Sequence, residues 1–238
     1  MSKDKDYYEQ GHNGYYMSKH VGIDGRIDNI RDWLIAKVPA GSTVLDIGCG
    51  DMTMSKVVPE MNWVGLDIDD KKDPRIVKQD ITQTPYMQLK TGSYDAILCS
   101  EVLEHLFQPL DVMKEAYRLL KPKGYFIVTV PNFDSLENLL GHHREMLFDP
   151  AKFWTIEHIR LYNHETMTKL LTHCGFKVHE QVGQSTCFSP MLVNCVRVLS
   201  EYLRDKHGAQ LTQGQVDQLF GRILPFNCPG LGFLAQKL

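Results

Sequence analysis

The stretch VLDIGCGDM, Val44 to Met52, decides the fold class of this chain of 238 residues. An apolar run that carries one acid, Asp46, leads into a Gly-x-Gly turn made by Gly48 and Gly50. Glycines at a strand-to-helix turn let backbone amides approach a ligand closely, at the carboxyl end of the sheet where open α/β folds bind ligands. The stretch therefore predicts a strand, a ligand-binding turn and the start of a helix.

The chain around this stretch alternates between short apolar runs and amphipathic segments. Apolar runs of this length without polar alternation are typical of strands buried on both faces, as in a parallel sheet covered by helices. The predicted strands are TVLDIG, NWVGLDI, RIVKQD, YDAILCS, GYFIVTV, FKVHEQV and a closing GLGFLAQKL. Predicted helices include Ile27 to Val38, DMTMSKVV, PLDVMKEAYRLL, and segments at about 164–174, 190–204 and 211–223. This alternation predicts an α/β fold with a doubly wound sheet and helices on both faces.

Composition narrows the class of protein. The hydrophobic content of 43% and the charged content of 23% are those of an ordinary globular protein, and no apolar run is long enough for a membrane span. The six cysteines form no C-x-x-C pair, and the charged, aromatic opening is unlike a signal peptide. We therefore expect reduced thiols, a cytoplasmic location and a monomer or homodimer. The net charge of −3 gives no general electrostatic reason to bind nucleic acid.

Acids close three successive predicted strands: Asp46, Asp67 and Asp80. A dinucleotide site would have a third glycine where Thr53 stands, and a pyrophosphate would be repelled by Asp46 and Asp51. S-adenosylmethionine has no phosphate, and its sulfonium and ammonium groups would be favoured by nearby acids. The acids therefore favour this cofactor over a dinucleotide.

With these residues the chain resembles the class I S-adenosylmethionine-dependent methyltransferases, closely over Val38 to Val130 and again in HIRLYNHETMTKLLTHCGFKV. The resemblance implies a Rossmann-like sheet of seven mostly parallel strands whose last strand is antiparallel. It also implies one domain over 1–238, with a lid and helix at 1–40, a cofactor core at 41–131, a substrate-side insertion at 132–163 and the rest of the sheet and helices at 164–238. The family often has glycine where Met52 stands, so the turn is expected to differ slightly here.

The same resemblance assigns residues to the cofactor. Asp46, Gly48, Cys49 and Gly50 would line its methionine half, Asp67 and Ile68 its ribose and adenine, and Asp80 and Ile81 its adenine. Ser100 and Glu101 would close the site after the fourth strand.

The segment SEVLEHLFQPL, Ser100 to Leu110, places Glu101, Glu104 and His105 on one face if a helix starts there. In one interpretation the glutamates cap that helix and meet the cofactor while the histidine packs. In the other, the three side chains hold a divalent metal. The ubiquinone-pathway O-methyltransferases and the small-RNA 3′-terminal 2′-O-methyltransferases have a similar Glu-x-x-Glu-His cluster on a metal, and the RNA enzymes imply His158 as a fourth ligand. Mg²⁺, Mn²⁺, Fe²⁺ and Zn²⁺ all suit such ligands.

Whether a metal is bound bears on the chemical class of the methyl acceptor. A sugar or aliphatic hydroxyl is hard to deprotonate at neutral pH, and a metal lowers the pKa of a bound oxygen acid, from about 15.7 to about 7 for zinc-bound water. We therefore expect O-methylation of a small molecule or sugar. A terminal RNA ribose, a small-molecule amine and a non-catalytic partner subunit remain alternatives. His105, His158 and His143 are the candidate catalytic bases, the last in a segment over the expected mouth of the site.

Overall fold

The computed structural model describes residues 23–135, 158–184, 228 and 230–238. The helices are α1 (Ile23–Lys37), α2 (Thr53–Val57), α3 (Pro109–Leu119) and α4 (His164–His173). The strands are β1 (Thr43–Ile47), β2 (Asn62–Asp67), β3 (Ile76–Lys78), β4 (Tyr94–Ser100), β5 (Leu120–Pro131), β6 (Phe176–Gln184) and β7 (Gly230–Lys237). The predicted lid before α1 and the predicted helices at 190–204 and 211–223 lie outside the described residues.

The seven strands form one sheet in the order β3-β2-β1-β4-β5-β7-β6. β1 pairs in parallel with β2 and β4, and β4 pairs in parallel with β5. β7 runs antiparallel to both of its neighbours, β5 and β6. The predicted doubly wound sheet with an antiparallel closing strand is therefore confirmed, and the carboxyl ends of β1, β2, β4 and β5 meet at one edge.

Each face of the sheet carries its own hydrophobic layer. In β4, Ile97 and Cys99 belong to one core cluster, whereas Ala96 and Leu98 belong to the other. The first cluster includes residues of α3 and α4, and the second includes residues of α1 and α2. The absence of polar alternation in the strand sequences follows from this double burial.

α3 shows how an amphipathic sequence fixes a helix on the sheet. Pro109 stands at its first turn, where the missing amide proton costs no hydrogen bond, and its buried side includes Val112, Met113, Ala116 and Leu119. The Lys-Pro-Lys-Gly segment that follows lies within β5, and Lys123 there adopts a φ of 64°. The chain thus passes from α3 directly into the fifth strand.

Three local predictions need correction. α1 begins at Ile23, four residues before the predicted start at Ile27, and α2 covers only Thr53–Val57. The segment after β4 forms a single 3-10 turn, Leu103–His105, rather than an α-helix, because the α-helix begins only at Pro109. None of the described helices combines the length and apolarity that crossing a bilayer requires.

Candidate functional site

The glycine turn between β1 and α2 is held tightly against neighbouring strands. Gly48 and Gly50 have positive φ values of 71° and 53°. The Gly48 amide donates to the Leu66 carbonyl at 2.8 Å, and the Gly50 amide donates to Asp67 Oδ2 at 2.9 Å. A Cβ atom at Gly48 would lie 2.5 Å from a methyl group of Val102, so only glycine fits between the turn and the segment after β4.

Met52 occupies the position where the family often has glycine. Its φ of 57° is left-handed, and its side chain is 1% exposed. A glycine would adopt this left-handed conformation without strain, whereas Met52 is strained there and its side chain packs in the core. The turn still ends where α2 begins at Thr53.

Three acidic side chains, Asp46, Asp51 and Asp67, are near one another beside the turn. Asp46 is 5% exposed, and burial, followed by repulsion from Asp67 and Asp51, raises its pKa to about 8. Burial also raises the pKa of the Cys49 thiol. A positively charged ligand would relieve this repulsion, which suits a cofactor with ammonium and sulfonium groups.

The remaining residues predicted for the cofactor follow β2 and β3 along the same edge. Asp67 Oδ1 accepts a hydrogen bond from the Asp69 amide at 3.1 Å, next to the half-buried Ile68. Asp80 Oδ1 accepts from the Thr82 amide at 2.9 Å, and Ile81 packs against the core. Their contacts with a cofactor stay predictions.

Glu104, predicted as a metal ligand, is fully buried. Its carboxylate is 0% exposed, and no group among the described residues donates a hydrogen bond to either of its oxygens. Burial and the neighbouring Glu101 carboxylate raise the pKa of Glu104 well above its usual range. A buried carboxylate left in this way normally has a partner, because an unpartnered charge in a protein interior is costly.

Two histidines lie beside this carboxylate. His105 Nε2 is 3.7 Å from Glu104 Oε1, and the rings of His105 and His158 have centroids 5.0 Å apart at an angle of 60°. One ligand atom from each of the three residues lies within 4.8 Å of the others. This Glu104 group is thus compact enough for one cation to reach all three side chains.

The segment HIRLY, 158–162, delivers His158 to the group. The Arg160 amide donates to the Glu104 carbonyl at 3.0 Å, and the buried Tyr162 hydroxyl donates to the Leu103 carbonyl at 3.1 Å. The Phe133 amide donates to the Tyr162 carbonyl at 2.7 Å, which ties the segment to the end of β5. These hydrogen bonds place His158 against the turn after β4.

Glu101 points to different partners. Its φ is 54°, its Oε1 accepts a hydrogen bond from Thr129 Oγ1 at 2.8 Å, and Arg26 of α1 lies 3.5 Å from the same oxygen. The predicted common helix face does not form, because the segment is not an α-helix, and Glu101 is not among the side chains that converge on Glu104.

The structure therefore brings three of the four predicted metal ligands together and leaves Glu101 apart, while His143 lies outside the described residues. Sequence reasoning missed Thr129 and Arg26. A signal existed for Thr129, since it is the polar residue within the apolar run FIVTV. No signal existed for Arg26, which is brought in only by the packing of α1.

A family model described as a methyltransferase domain matches residues 23–181, well over half of the chain. The chain belongs to this family. Its seven-stranded sheet has the fold of the class I S-adenosylmethionine-dependent methyltransferases.

Relatives with curated names include O-methyltransferases. The ubiquinone biosynthesis O-methyltransferase of Thiobacillus denitrificans is 27% identical over 168 residues, which cover 64% of this chain and 72% of that protein. The protein of the same name from Bordetella bronchiseptica is 33% identical over 106 residues, covering 39% of this chain and 44% of that protein. The chain spans about half the length of the curated relatives it matches, with 55%, 34% and 46% covered in three of them.

Solved structures show the same fold. The magnesium protoporphyrin IX methyltransferase of Synechocystis, with bound S-adenosylhomocysteine, superposes with a TM-score of 0.61 at 15% identity, over 100% of this chain and 95% of that one. An S-adenosylmethionine-dependent methyltransferase of Archaeoglobus fulgidus gives a TM-score of 0.52 at 20% identity, over 98% of this chain and 100% of that one.

Proposed function

We propose that this methyltransferase transfers the methyl group of S-adenosylmethionine to a hydroxyl group of a small molecule or sugar, with a divalent cation held by Glu104, His105 and His158. The observation that carries the proposal is the buried Glu104 carboxylate, whose two oxygens accept no hydrogen bond from the described residues and which has two imidazoles beside it. The names of the ubiquinone biosynthesis O-methyltransferases among its relatives support a hydroxyl acceptor.

The residues present fit a cation. Within the described ranges no hydrogen bond occupies either Glu104 oxygen, and the raised pKa of Glu104 means that its ionised form needs positive charge nearby. One carboxylate with two imidazoles is a donor set that transition metals such as Mn²⁺, Fe²⁺ and Zn²⁺ accept readily. When bound, the cation would lower the pKa of an acceptor hydroxyl and so favour its attack on the methyl group.

The position of the Glu104 group relative to the cofactor turn supports the same proposal. Val102 contacts the turn at Gly48, and Glu104 follows Val102 by two residues. A cofactor methionine half seated on the turn would therefore lie close to the Glu104 group. Methyl transfer is an in-line displacement, so the protein must mainly orient the acceptor oxygen and the methyl carbon.

Calorimetric titration of Mn²⁺ into metal-stripped protein saturated with S-adenosylhomocysteine tests the cation. We expect one-to-one binding in the wild type and its loss in Glu104→Gln and His158→Ala. His173→Ala, which removes an exposed histidine of α4, is the matched control and should bind Mn²⁺ like the wild type. Absence of binding, or equal binding in Glu104→Gln, would contradict the cation part of the proposal.

The acceptor class is tested by product formation. We expect formation of S-adenosylhomocysteine with vicinal diols or catechols, and its loss on chelation. Turnover only with amines, without sensitivity to chelators, would instead favour N-methylation, and turnover only with RNA ends would favour ribose 2′-O-methylation. Absence of S-adenosylmethionine binding altogether would refute the enzyme assignment.

A further inference from the structure

We propose that Glu101 stands outside the cation site and belongs to the cofactor edge, and that Thr129 and Arg26 are positioning residues that hold its carboxylate there. This inference deepens the proposed function and rests on it for the identity of the cofactor. Glu101 and Glu104 would thus have different roles, although their spacing in the sequence predicts one shared face.

Thr129 fixes Glu101 from the neighbouring strand. Its side chain is 0% exposed, and its hydroxyl donates to Glu101 Oε1 at 2.8 Å. Because a carboxylate only accepts, the hydroxyl of Ser100, 2.8 Å from Thr129 Oγ1, must be the donor of the next hydrogen bond. The Glu101 amide also donates to the Thr129 carbonyl at 3.0 Å. Backbone and side chain of Glu101 are thus both held by one residue of β5.

The backbone of Glu101 supports the same role. Its φ of 54° is uncommon for a residue with a Cβ atom, and such strain persists where the surroundings demand it. This conformation accompanies a carboxylate that contacts Thr129 and Arg26 rather than the Glu104 group.

Glu101 and Glu104 differ in the partners of their carboxylates. Glu101 has a hydroxyl donor and a guanidinium within reach, whereas no group among the described residues donates to Glu104. Both contacts are made by Glu101 Oε1, and moving that oxygen onto a cation would break them. Glu104 can offer its oxygens without breaking a hydrogen bond to any residue that the structure describes, so the proposed cation site consists of Glu104, His105 and His158.

A fixed carboxylate at the end of β4 has a use at the cofactor. Glu101 directly precedes Val102, which contacts the turn at Gly48. The cofactor carries an ammonium group and, before methyl transfer, a sulfonium group, and negative charge fixed in advance favours both. Arg26 holds this carboxylate from α1, so the first helix takes part in shaping the cofactor site.

The test is calorimetry with two ligands, S-adenosylhomocysteine and Mn²⁺, on one set of variants. Thr129→Val should weaken S-adenosylhomocysteine binding by about five- to tenfold, and Thr129→Ser should restore it to within about twofold. Glu101→Gln should weaken the same binding and leave Mn²⁺ affinity within about twofold of wild type. Glu104→Gln should do the reverse.

Arg26→Met provides a second variant should Thr129→Val fold poorly, and it should also weaken S-adenosylhomocysteine binding. Arg31→Met is its matched control, because Arg31 lies on the same helix and pairs with Asp28 and Asp32 instead. Thermal melts of every variant check that the fold persists.

Loss of Mn²⁺ binding in Glu101→Gln equal to that in Glu104→Gln would overturn the inference, since Glu101 would then be a ligand. Unchanged S-adenosylhomocysteine affinity in Thr129→Val and Arg26→Met would overturn it as well. A wild type that binds no Mn²⁺ removes the cation from the proposed function and leaves the cofactor measurements to decide this inference. A wild type that does not bind S-adenosylhomocysteine overturns both.

Discussion

At the scale of single residues, the candidate site depends on positions where a single added atom or a single proton changes its geometry or charge. Gly48 is needed because its Cβ position is already taken by Val102, and Gly50 because its amide reaches Asp67 from a left-handed backbone. Asp46 is an acid in a place where burial opposes its ionisation and raises its pKa to about 8.

Gly48→Ala should lower the free energy of unfolding by about 2–3 kcal/mol, since it combines left-handed strain with a clash. It should also weaken S-adenosylhomocysteine binding at least about tenfold, because the turn must move. Gly41→Ala is the matched control: Gly41 also has a positive φ of 80°, but its Cβ position meets nothing within 4 Å. It should cost only about 1 kcal/mol and leave binding unchanged. Chemical denaturation and calorimetry measure both effects, and equal losses in the two variants would contradict this account.

Asp46 should couple cofactor binding to proton release. Its pKa is raised to about 8 in the free protein, and a cationic ligand beside it would lower that pKa. Binding of S-adenosylhomocysteine near pH 7 should therefore expel a proton, and affinity should rise as pH rises towards 8. Calorimetry in two buffers of different ionisation enthalpy counts the proton, and Asp46→Asn should abolish its release.

The raised pKa of Asp46 also makes the stability of the folded state depend on pH. A folded-state pKa of about 8, above the ordinary value of 3.8, means that the folded state binds more protons than the unfolded state between these values. The contribution of Asp46 to stability is therefore present at low pH and is lost as pH rises through that window. Asp46→Asn should flatten this part of the stability profile, and an unchanged profile would show that Asp46 is already ionised.

At the scale of elements, the site depends on two segments that hold one another. The turn Leu103–His105 carries Glu104 and His105, and the HIRLY segment carries His158. Neither is long enough to be stable alone, so the hydrogen bonds from Arg160 and Tyr162 to carbonyls of the turn set their mutual position.

Tyr162→Phe should therefore lower stability by about 1 kcal/mol and weaken Mn²⁺ binding several-fold. The carbonyl of Leu103 loses its donor from the HIRLY segment and keeps only the amide of Leu106, at 3.3 Å, within its own turn. Tyr117→Phe is the matched control, since its hydroxyl donates to the Leu238 carbonyl on the exposed surface, away from the site. That variant should keep wild-type Mn²⁺ affinity. Equal Mn²⁺ affinity in both variants would mean that the HIRLY segment is held by other contacts.

At the scale of the whole molecule, the sheet brings distant parts of the chain to one edge at a cost in stability. At this edge Asp46 lies near Asp67, and Glu104 lies near Glu101. In each pair the more deeply buried carboxyl has a pKa raised by burial and by its acidic neighbour. Active sites often retain such unfavourable groups because function requires them.

Glu104→Gln should accordingly stabilise the protein when metal is removed. The neutral amide avoids the cost of ionising a buried carboxyl whose pKa is raised well above its usual range. We expect a gain of about 1–2 kcal/mol at pH 8 in the presence of a chelator, shrinking as pH falls and the wild-type carboxyl becomes protonated. Thermal melts at pH 8 and pH 5 measure it. A loss of stability at both pH values would show that Glu104 has a favourable partner without metal.

The sequence by itself determined the fold and the cofactor turn. Runs such as YDAILCS fix strands that are buried on both faces, and Gly48 with Gly50 fixes a turn whose shape depends on a few adjacent residues. These features are local, so spacing along the chain is enough to predict them. The resemblance also predicted His158 as a ligand, and the structure places this residue beside His105.

Only the tertiary structure decided which glutamate has hydrogen-bond and ion-pair partners among the described residues. Glu101 and Glu104 are three residues apart, and an α-helix would have put both on one face. The chain instead turns at Glu101 with a φ of 54°, and Thr129 and Arg26 bind that carboxylate. These partners come from β5 and α1, and only the packing of the sheet and the first helix brings them within hydrogen-bonding and ion-pair distance.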